Sequence, residues 1–346
     1  MTRAKGMQMN DQRNRIGEVW VHAPARLHAG FVDLNGGLGR RFGSLGIAID
    51  RPAIILRARP TDSLTVSGPS ADRVRRSIER LGQEAGLSDA VAVTVEEAIP
   101  PHVGLGSGTQ TDLAVAAALV CLEGRGTAAR DLARALERGA RSGIGLAAFE
   151  QGGVLLDGGR GGLDAAPPLI ARAPFPEDWR ILLLLHRGGH GLHGAPEAEA
   201  FRRLPPFPPA AAAHLCRLVL MVALPALAEG DVDRFGQAIG ELQRTVGDHF
   251  APAQGGRFTS PLVADALSWL EAQGIGGVGQ SSWGPTGFAI VGDAAQAERL
   301  AHGMRSRWAG SPLEVMVCQG RNSGATLRNQ LAGAETAPAV RWAAGV

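Results

Sequence analysis

The sequence predicts an α+β protein built from two domains. Its 346 residues, of which 45% are hydrophobic, are enough for about two cores of ordinary size. Predicted strands and helices alternate along the chain without the long βαβ regularity of a doubly wound parallel sheet. Residues 165–176 are rich in proline and alanine, and we expect the boundary between the domains there.

The N-terminal half contains most of the predicted strands. Alternating and β-branched apolar residues predict strands at 18–21, 29–34, 45–58, 91–95 and 154–156, with a glycine-rich turn at 35–39. Val74, Ile78 and Leu81 stand at helical spacing and predict a helix over 72–86. The alanine-rich segment 111–122 predicts a buried helix, and a second helix follows at 127–138.

The C-terminal half mixes strands with longer helices. Apolar runs predict strands at 180–185, 287–291 and 313–318. Helical periodicity predicts helices near 211–227, 231–246, 261–273 and 294–308. No internal repeat or coiled-coil heptad is visible in either half.

The charge balance and the rare residue types exclude several functions. With 35 Lys and Arg against 33 Asp and Glu, the net charge is +2, so we expect neither a nucleic-acid partner nor a membrane. Lys5 is the only lysine, and it stands in a polar N-terminal segment. Catalysis through a buried lysine is therefore not expected, and the absence of tyrosine excludes a catalytic tyrosine.

The cysteines and the apolar segments predict a cytoplasmic protein. Cys121, Cys216 and Cys318 are odd in number and widely spaced, which fits neither a disulfide framework nor a zinc site. The N-terminus lacks the apolar core of a signal peptide. The longest apolar stretch, 218–228, contains Pro225 and is too short to span a bilayer.

The glycine-rich segment 101–110, which leads directly into the predicted 111–122 helix, is the most informative motif. Gly104, Gly106 and Gly108 let backbone amides turn inward without a Cβ in the way. A helix N-terminus adds free N–H donors and the positive end of a dipole. The segment therefore predicts a phosphate cradle, although a plain helix-capping turn has the same local pattern.

Two apparent dinucleotide fingerprints do not have the required context. Residues 274–279 match G-x-G-x-x-G, and 143–148 match the variant that ends in alanine. Both follow a predicted helix, whereas the fingerprint stands between a strand and a helix. The chain also has no G-K-[ST] sequence, so a P-loop is excluded.

Residues 101–109 resemble the P-x-x-x-G-L-G-S-S phosphate loop of the GHMP small-molecule kinase superfamily. Three further blocks, at 24–40, 142–159 and 279–286, resemble one branch of it, the β-ribofuranosylaminobenzene 5′-phosphate synthases of methanopterin biosynthesis. The segment 191–197 is a weaker fourth match. The resemblance implies a GHMP-kinase-like fold with a βαβ phosphate-loop domain at 16–172 and a ferredoxin-like domain at 173–330. Tails would occupy 1–15 and 331–346, and the site would lie in the cleft between the domains.

One position separates this branch from the kinases. GHMP kinases carry a catalytic aspartate where the S-G-x-D motif ends, whereas Ser142, Gly143 and Ile144 are followed here by Gly145. Glycine cannot accept a proton, so the usual kinase base is missing. The resemblance implies that 5-phosphoribosyl 1-diphosphate condenses with 4-aminobenzoate, with release of CO2 and diphosphate. It also implies Mg2+ as cofactor and a homodimer.

The same resemblance implies roles for individual residues. The expected catalytic residues are Arg26, His28, Glu150 and Asp157, of which Glu150 and Asp157 are also the expected Mg2+ ligands. The expected phosphate-binding residues are Gly104, Leu105, Gly106, Ser107, Gly108, Thr109, Gln110, Arg141, Ser142 and Gly143. The expected substrate-binding residues are Asp33, Asn35, Arg40, His193, Ser281, Ser282 and Trp283, the last by stacking on the aromatic ring.

Alternatives to the synthase remain open on the sequence. A GHMP kinase for another small molecule would need a base from elsewhere in the chain, and a catalytically silent relative would bind ligand without turnover. His186, His190 and His193 have the spacing H-x3-H-x2-H, which suggests zinc. Glycines surround these histidines, so no regular element fixes their geometry, and an ordinary loop is the simpler interpretation.

Overall fold

The computed structural model describes residues 16–125, 129–136, 142–162, 166–189, 191, 194–331 and 340–341. In the N-terminal half the strands are β1 (Ile16–Asp33), β2 (Gly43–Pro60), β3 (Thr65–Ser67), β4 (Val91–Glu97), β5 (Val154–Asp157) and β6 (Leu169–Ala173). The helices of this half are α1 (Ala71–Ala85), α2 (Ser107–Leu122), α3 (Ala129–Ala135) and α4 (Ile144–Glu150).

The C-terminal half has the longer helices. Its strands are β7 (Arg180–His186), β8 (Val278–Gln280), β9 (Thr286–Val291), β10 (Leu313–Cys318), β11 (Thr326–Leu331) and β12 (Val340–Arg341). Its helices are α5 (Ala195–Arg203), α6 (Pro209–Leu218), α7 (Leu224–Glu229), α8 (Val232–Gln254), α9 (Pro261–Ala272) and α10 (Ala294–Arg307). A π-helical turn, Val219–Ala223, joins α6 to α7.

A large sheet organises the N-terminal half. Within the described ranges its strand order is β12-β11-β1-β2-β4-β3, and β5 and β6 extend from β2. β3 and β4 are parallel and are joined by α1, which forms the βαβ unit that the family resemblance implies. β4 then leads through the glycine-rich loop into α2, so this unit positions the loop at the edge of the cleft.

The second sheet has the order β10-β7-β9-β8, and its neighbouring strands are antiparallel. Numbered within the domain, this order is 4-1-3-2, the arrangement of a ferredoxin-like fold. α9 and α10 pack on the sheet around Leu182, Leu184 and Val263. The predicted α+β class with a ferredoxin-like second domain is confirmed.

The β1–β2 hairpin is longer than the sequence predicts. The strands predicted at 18–21 and 29–34 form one 18-residue strand, which passes through residues 22–28 without a break. Register shifts at Pro24/Ala25 and His28/Gly30 allow the strand to continue past these residues, which the alternation pattern cannot show. One end of β1 packs in the core that contains α2, and the other end packs in the core that contains α8.

The chain returns to the first sheet near its end. β11 pairs antiparallel with β1, from Ile16 opposite Leu331 to His22 opposite Thr326. The predicted C-terminal domain of 173–330 therefore includes a strand of the N-terminal sheet. Pairing between strands so far apart in sequence leaves no local signal, so the domain bounds that the family resemblance implies do not separate this strand from the second domain.

Several short elements were not predicted. α4 has no counterpart in the sequence prediction, and β6 lies inside the predicted domain boundary. β3, β8 and α5 also have no counterpart in the sequence prediction. These elements have three to nine residues, too few for a periodic pattern to stand out.

One segment, Pro209–Glu229, is long and apolar enough by composition to cross a membrane. It comprises α6, the π-helical turn and α7, and it packs through Leu215, Val219 and Ala223 into the core with α8. One face of the segment is therefore buried in the protein, whereas Leu220 and Met221 remain exposed.

Candidate active site

The glycine-rich loop connects β4 to α2, as its sequence predicts. Gly104 and Gly106 have φ angles of 87° and 80°, which glycine adopts without strain. Gly106 immediately precedes α2, which begins at Ser107. The first amides of α2 have no carbonyl partner within the helix, and they carry the positive end of its dipole. The loop and the helix together therefore offer the donors of an anion-binding cradle.

The remaining loop residues divide into two groups. Ser107, Gly108 and Thr109 lie in the first turn of α2 and are partly exposed, so they can reach a bound anion. Leu105 is 1% exposed and packs in the core, so it offers only its backbone. Gln110 is buried, and its Nε2 donates to the Gly145 carbonyl at 2.7 Å. Gln110 therefore joins α2 to α4, and its expected contact with phosphate stays a prediction.

Arg26 is bound to the phosphate loop from the side of β1. Its backbone N–H donates to the Leu105 carbonyl at 3.1 Å, and its Nη1 donates to the Gly104 carbonyl at 2.6 Å. A Cβ on Gly106 would lie 3.1 Å from Arg26 Nε, so a glycine is needed for this close approach. Arg26 Nε is buried and has no partner among the described residues. The guanidinium thus keeps a donor directed toward the loop.

Arg26 remains positively charged although it is buried. Desolvation lowers the pKa of Arg26 to about 10, and the nearby negative charge of Glu197 opposes the shift. A guanidinium with that pKa is protonated at neutral pH. The loop therefore has a fixed positive charge beside its amides.

Ser281 ties the second half of the chain to the same loop. Its hydroxyl donates to the Gly104 carbonyl at 2.7 Å and accepts the backbone N–H of His28 at 3.0 Å. The backbone approach is also close at Gly284, where a Cβ would lie 2.2 Å from the Val103 carbonyl oxygen. The block 279–286 therefore packs on the phosphate loop, as the order of the sequence motifs implied.

His28 lies on β1 two residues after Arg26 and so on the same face of the strand. Its backbone carbonyl accepts the N–H of Ser282 at 3.3 Å. The ring is 3% exposed, and its Nε2 has no partner within the described part of the chain. Burial and, less strongly, the charge of Arg26 lower the pKa of His28 to about 3, so the imidazole is neutral.

A small cavity of about 20 Å3 opens beside His28. It exceeds the ~15 Å3 that one water needs, and polar groups are among its walls. The residues that line it are His28, Gly30, Phe31, Gln243, Val246, Gly247, Phe250, Gln254, Arg257, Gln280 and Ser282. An aromatic ring does not fit this space without movement of the walls.

Gly145 occupies the position of the kinase aspartate. It lies in α4, and a Cβ there would be 3.1 Å from Cγ2 of Thr109 in α2. The two helices therefore meet where a kinase would hold its base. Asp157 lies nearby, 2.9 Å from the Gly143 amide, but its side chain is fully engaged.

Asp157 is a structural hydrogen-bond acceptor. It is 1% exposed and accepts the hydroxyls of Ser44 and Ser142 and the amides of Gly143 and Gly159, each at 2.9 Å. Burial raises the pKa of this carboxyl, and the four hydrogen bonds oppose that shift. Ser142 and Gly143 thus hold a carboxylate in place, rather than the phosphate that the sequence suggested.

Glu150 and Asp157 do not meet. Asp157 bonds to Gly143 at the N-terminal end of α4, whereas Glu150 is the last residue of this helix. Six residues at 1.5 Å each separate the two ends by about 9 Å. The described residues also contain no group of three or more His, Cys, Asp or Glu side chains that could hold a metal. Glu150 and Asp157 thus stand at opposite ends of α4, and their expected roles as Mg2+ ligands stay a prediction.

Asp33, Asn35 and Arg40 build the turn of the β1–β2 hairpin. Asp33 Oδ1 accepts the amide of Asn35 at 2.7 Å, and Asn35 Nδ2 donates to the Phe207 carbonyl at 2.6 Å. Arg40 donates to the carbonyls of Gly158 and Gly159, both at 2.7 Å. Asp33 is seven strand residues beyond Arg26, about 23 Å along β1. These three residues are thus separated from the phosphate loop, contrary to the expected shared site.

Trp283 is a core residue. It is 1% exposed, stacks on Phe250 with ring centroids 4.2 Å apart, and meets Phe201 edge to face. In this enclosed position Trp283 does not present a face on which a substrate ring could stack.

His186 lies at the end of β7, and its Nδ1 is hydrogen-bonded to Ser260 Oγ at 3.0 Å. Arg141, His190 and His193 lie outside the described residues.

Comparison with known proteins gives relatives over the whole length. A protein of Methanothermobacter thermautotrophicus named β-ribofuranosylphenol 5′-phosphate synthase is 30% identical over 334 residues, which cover 89% of this chain and 98% of that protein. One of the same name from Archaeoglobus fulgidus is 31% identical over 318 residues, covering 88% and 97%. This chain belongs to that synthase family.

The fold of the synthase-family chain agrees with the kinase superfamily. The family models for the GHMP kinases N-terminal domain and C-terminal domain match residues 72–153 and 223–310. A homoserine kinase from Cytophaga hutchinsonii has a TM-score of 0.65 at 18% identity, covering 90% of this chain and 97% of that one. A mevalonate diphosphate decarboxylase from Enterococcus faecalis has a TM-score of 0.61 at 17% identity, covering 91% and 100%. At these identities the similarity shows the fold alone.

The sequence analysis assigns no role to some of the residues that surround the phosphate loop. Glu197, in the first turn of α5, acts electrostatically on Arg26, and only its place in the weak block 191–197 marked it. Gln243 of α8 donates to the Ala29 carbonyl at 2.5 Å and accepts the Gln280 amide at 2.8 Å. It thereby fixes β1 and β8 around His28. A glutamine in an amphipathic helix gives no sequence signal for such a contact.

Proposed function

We propose that this protein joins 5-phosphoribosyl 1-diphosphate to a para-substituted benzoate and releases CO2 and diphosphate. The observation that carries the proposal is an intact anion cradle together with Gly145 at the place of the kinase base, where even an added Cβ would lie only 3.1 Å from Cγ2 of Thr109. An anion cradle without a base suits departure of a diphosphate rather than activation of a hydroxyl group. Similarity to the synthase family over the whole chain supports the same reaction.

Departure of the diphosphate is the step that the site assists most directly. As the bond between the anomeric carbon and the diphosphate oxygen breaks, negative charge collects on the leaving group. The amides at the start of α2 and the charged guanidinium of Arg26 stabilise that charge. Because these groups are held by Gly104 and Ser281 before substrate binds, little reorganisation is needed.

The acceptor completes the reaction without an external base. Its ring carbon that bears the carboxylate bonds to the anomeric carbon, helped by electron donation from the para substituent. The bond to the carboxylate carbon then breaks, CO2 leaves, and the electron pair restores the aromatic ring. No proton is transferred in this sequence, so the buried, neutral His28 need not titrate during the reaction.

The para substituent defines two candidate acceptors. The sequence resemblance implies 4-aminobenzoate, whereas the relatives are named for a ribofuranosylphenol, which corresponds to 4-hydroxybenzoate. Both substituents donate electrons to the same ring carbon. We propose 4-aminobenzoate as the substrate, with 4-hydroxybenzoate as the second candidate.

Radiolabelled acceptor tests the proposal. Purified protein is incubated with carboxyl-labelled 4-aminobenzoate or 4-hydroxybenzoate, with and without 5-phosphoribosyl 1-diphosphate. The proposal expects labelled CO2 only when the sugar donor is present. ATP-dependent phosphorylation of a small alcohol, with no CO2 from either benzoate, would instead establish the kinase alternative.

Three further properties accompany the proposal. We propose a Mg2+ requirement, a homodimer and a cytoplasmic location, in line with the family resemblance. Among the described residues no group of three or more His, Cys, Asp or Glu side chains could hold a metal, and Mg2+ is commonly held by one or two carboxylates together with substrate phosphates. Loss of turnover with EDTA and its recovery with Mg2+ test the first property, and sedimentation equilibrium tests the second.

A further inference from the structure

Three arginines of α1 line a cavity to which the steps described above assign no role. Arg73, Arg76 and Arg80 follow one another at spacings of three and four residues, so they share one face of the helix. The cavity measures about 270 Å3, many times the ~15 Å3 that one water needs. The residues that line it are Arg73, Arg76, Ser77, Arg80, Asp112 and Leu136.

The lining of this cavity carries an excess of positive charge. Among the described lining residues Asp112 is the one carboxylate, against three guanidinium groups. It is 3% exposed, and it already accepts Ser77 Oγ at 2.5 Å and Arg73 Nη2 at 3.1 Å. The described lining residues therefore carry two more positive charges than negative ones, which would balance the two negative charges of one doubly ionised phosphate group.

The cavity also borders the phosphate loop and contains a spare donor. Arg73 Nη2 donates to the Gly108 carbonyl at 3.2 Å, in the first turn of α2. Arg73 Nε is buried without a partner in the part of the chain that the structure describes. A buried N–H of a charged group without a partner is costly, and a bound oxyanion would satisfy it.

We propose that this cavity is a second anion site, which binds a phosphate group. Guanidinium groups match the geometry of phosphate oxygens through paired N–H donors, and a concave site favours a compact dianion. The phosphate group comes either from the 5-phosphate of the sugar donor or from free phosphate in solution. The chemistry is the same in both cases, and the experiment distinguishes the two sources.

Titration with inorganic phosphate tests the site directly. Arg76 is exposed and has room to change, so Arg76→Glu inverts a charge at the cavity with little risk to the fold. Arg75→Glu makes the same change on the next residue, which does not line the cavity, and serves as the matched control. Calorimetry is expected to show phosphate binding weakened about tenfold or more in Arg76→Glu, in keeping with loss of a charge-assisted contact, and unchanged in Arg75→Glu.

Initial rates identify the source of the phosphate group. If the site holds the donor's own 5-phosphate, Arg76→Glu raises the KM for 5-phosphoribosyl 1-diphosphate about tenfold, and inorganic phosphate competes with the donor in wild type. If it holds free phosphate, the KM without phosphate stays unchanged, and the effect of phosphate on the wild-type rate is absent in the variant. Either result supports a phosphate site.

The proposal is overturned if Arg76→Glu binds phosphate as wild type does and keeps both the donor KM and the response to phosphate. The titration does not depend on turnover. Failure of this inference is therefore distinguishable from failure of the proposed synthase reaction.

Discussion

Arg26 and Ser281 donate hydrogen bonds to the same carbonyl oxygen, that of Gly104, at 2.6 and 2.7 Å. Arg26 belongs to the first strand of the N-terminal sheet, and Ser281 follows β8 of the ferredoxin-like sheet. The conformation of the phosphate loop is therefore set by both halves of the chain. This shared acceptor connects the fold to the proposed chemistry, because it holds the loop amides and the guanidinium together.

Removing the Ser281 hydroxyl is expected to destabilise the protein and weaken donor binding. Ser281→Ala leaves the His28 amide without its acceptor and the Gly104 carbonyl with one donor fewer. Unsatisfied buried groups of this kind cost about 1–3 kcal/mol. Chemical denaturation measures the loss of stability, and the KM for the donor should rise. Ser311→Ala, which removes a hydroxyl bonded to the Trp308 carbonyl far from the loop, is the control and should leave the KM unchanged.

Replacing Arg26 by lysine is expected to lower kcat strongly while preserving the charge. The loop needs the planar guanidinium, which reaches the Gly104 carbonyl through Nη1 and keeps Nε beside Gly106. Loss of one preorganised donor of this type costs about 100-fold or more in rate. Steady-state kinetics of Arg26→Lys measure the effect, with Arg59→Lys on the exposed end of β2 as control. A lysine variant with wild-type kcat would show that Arg26 only shapes the loop.

Restoring the kinase aspartate is not expected to restore a kinase. In Gly145→Asp the new Cβ would lie 3.1 Å from Thr109 Cγ2, so α2 and α4 must separate slightly. We expect a loss of stability of about 1–3 kcal/mol, as in other overpacked cores, and no transfer of the ATP γ-phosphate. Gly145→Ala separates the steric effect from the effect of the carboxylate. ATP-dependent phosphorylation of a small alcohol by the aspartate variant would contradict our interpretation of this position.

The buried imidazole of His28 makes stability depend on pH. Its pKa is about 3 in the folded protein and near 6.5 when unfolded, so the unfolded chain binds the additional proton between these values. Stability from this group is therefore full above about pH 6.5 and is lost as the pH falls toward 3. His28→Gln should reduce the slope of unfolding free energy against pH by up to one proton, ~1.4 kcal/mol per pH unit.

The control for this pH dependence is His302→Gln, on the exposed face of α10. His22, whose pKa burial lowers to about 4, contributes a slope of the same sign, so His28→Gln should leave part of the dependence in place. An unchanged slope in His28→Gln would show that the imidazole is not held neutral by the fold.

Local patterns predicted the parts of the site that depend on local structure. Gly104 and Gly106 before an alanine-rich helix were sufficient to predict the loop, because positive φ and a free helix N-terminus are properties of neighbouring residues. The similar motif blocks likewise predicted that Arg26 and Ser281 lie together. The βαβ unit and the ferredoxin-like sheet followed from the same resemblance.

Partners that meet only in the folded chain could not be predicted. Glu150 and Asp157 stand in one motif block, but Glu150 is the last residue of α4 and Asp157 bonds to Gly143 at the other end of this helix. Arg40 and Asp33 are charged and were expected to contact the substrate, yet both side chains form hydrogen bonds that stabilise the hairpin turn. The burial of Trp283 depends on Phe250, which lies on a different element.

Phosphorus NMR of a reaction mixture tests the central claim most directly. Wild-type protein is supplied with 5-phosphoribosyl 1-diphosphate, 4-aminobenzoate, Mg2+ and ATP, and the phosphorus signals are followed together with CO2 release. We expect the signals of the donor's diphosphate to be replaced by free diphosphate in equal amount to CO2, while ATP stays intact. Conversion of ATP to ADP with the sugar donor unchanged would contradict the account.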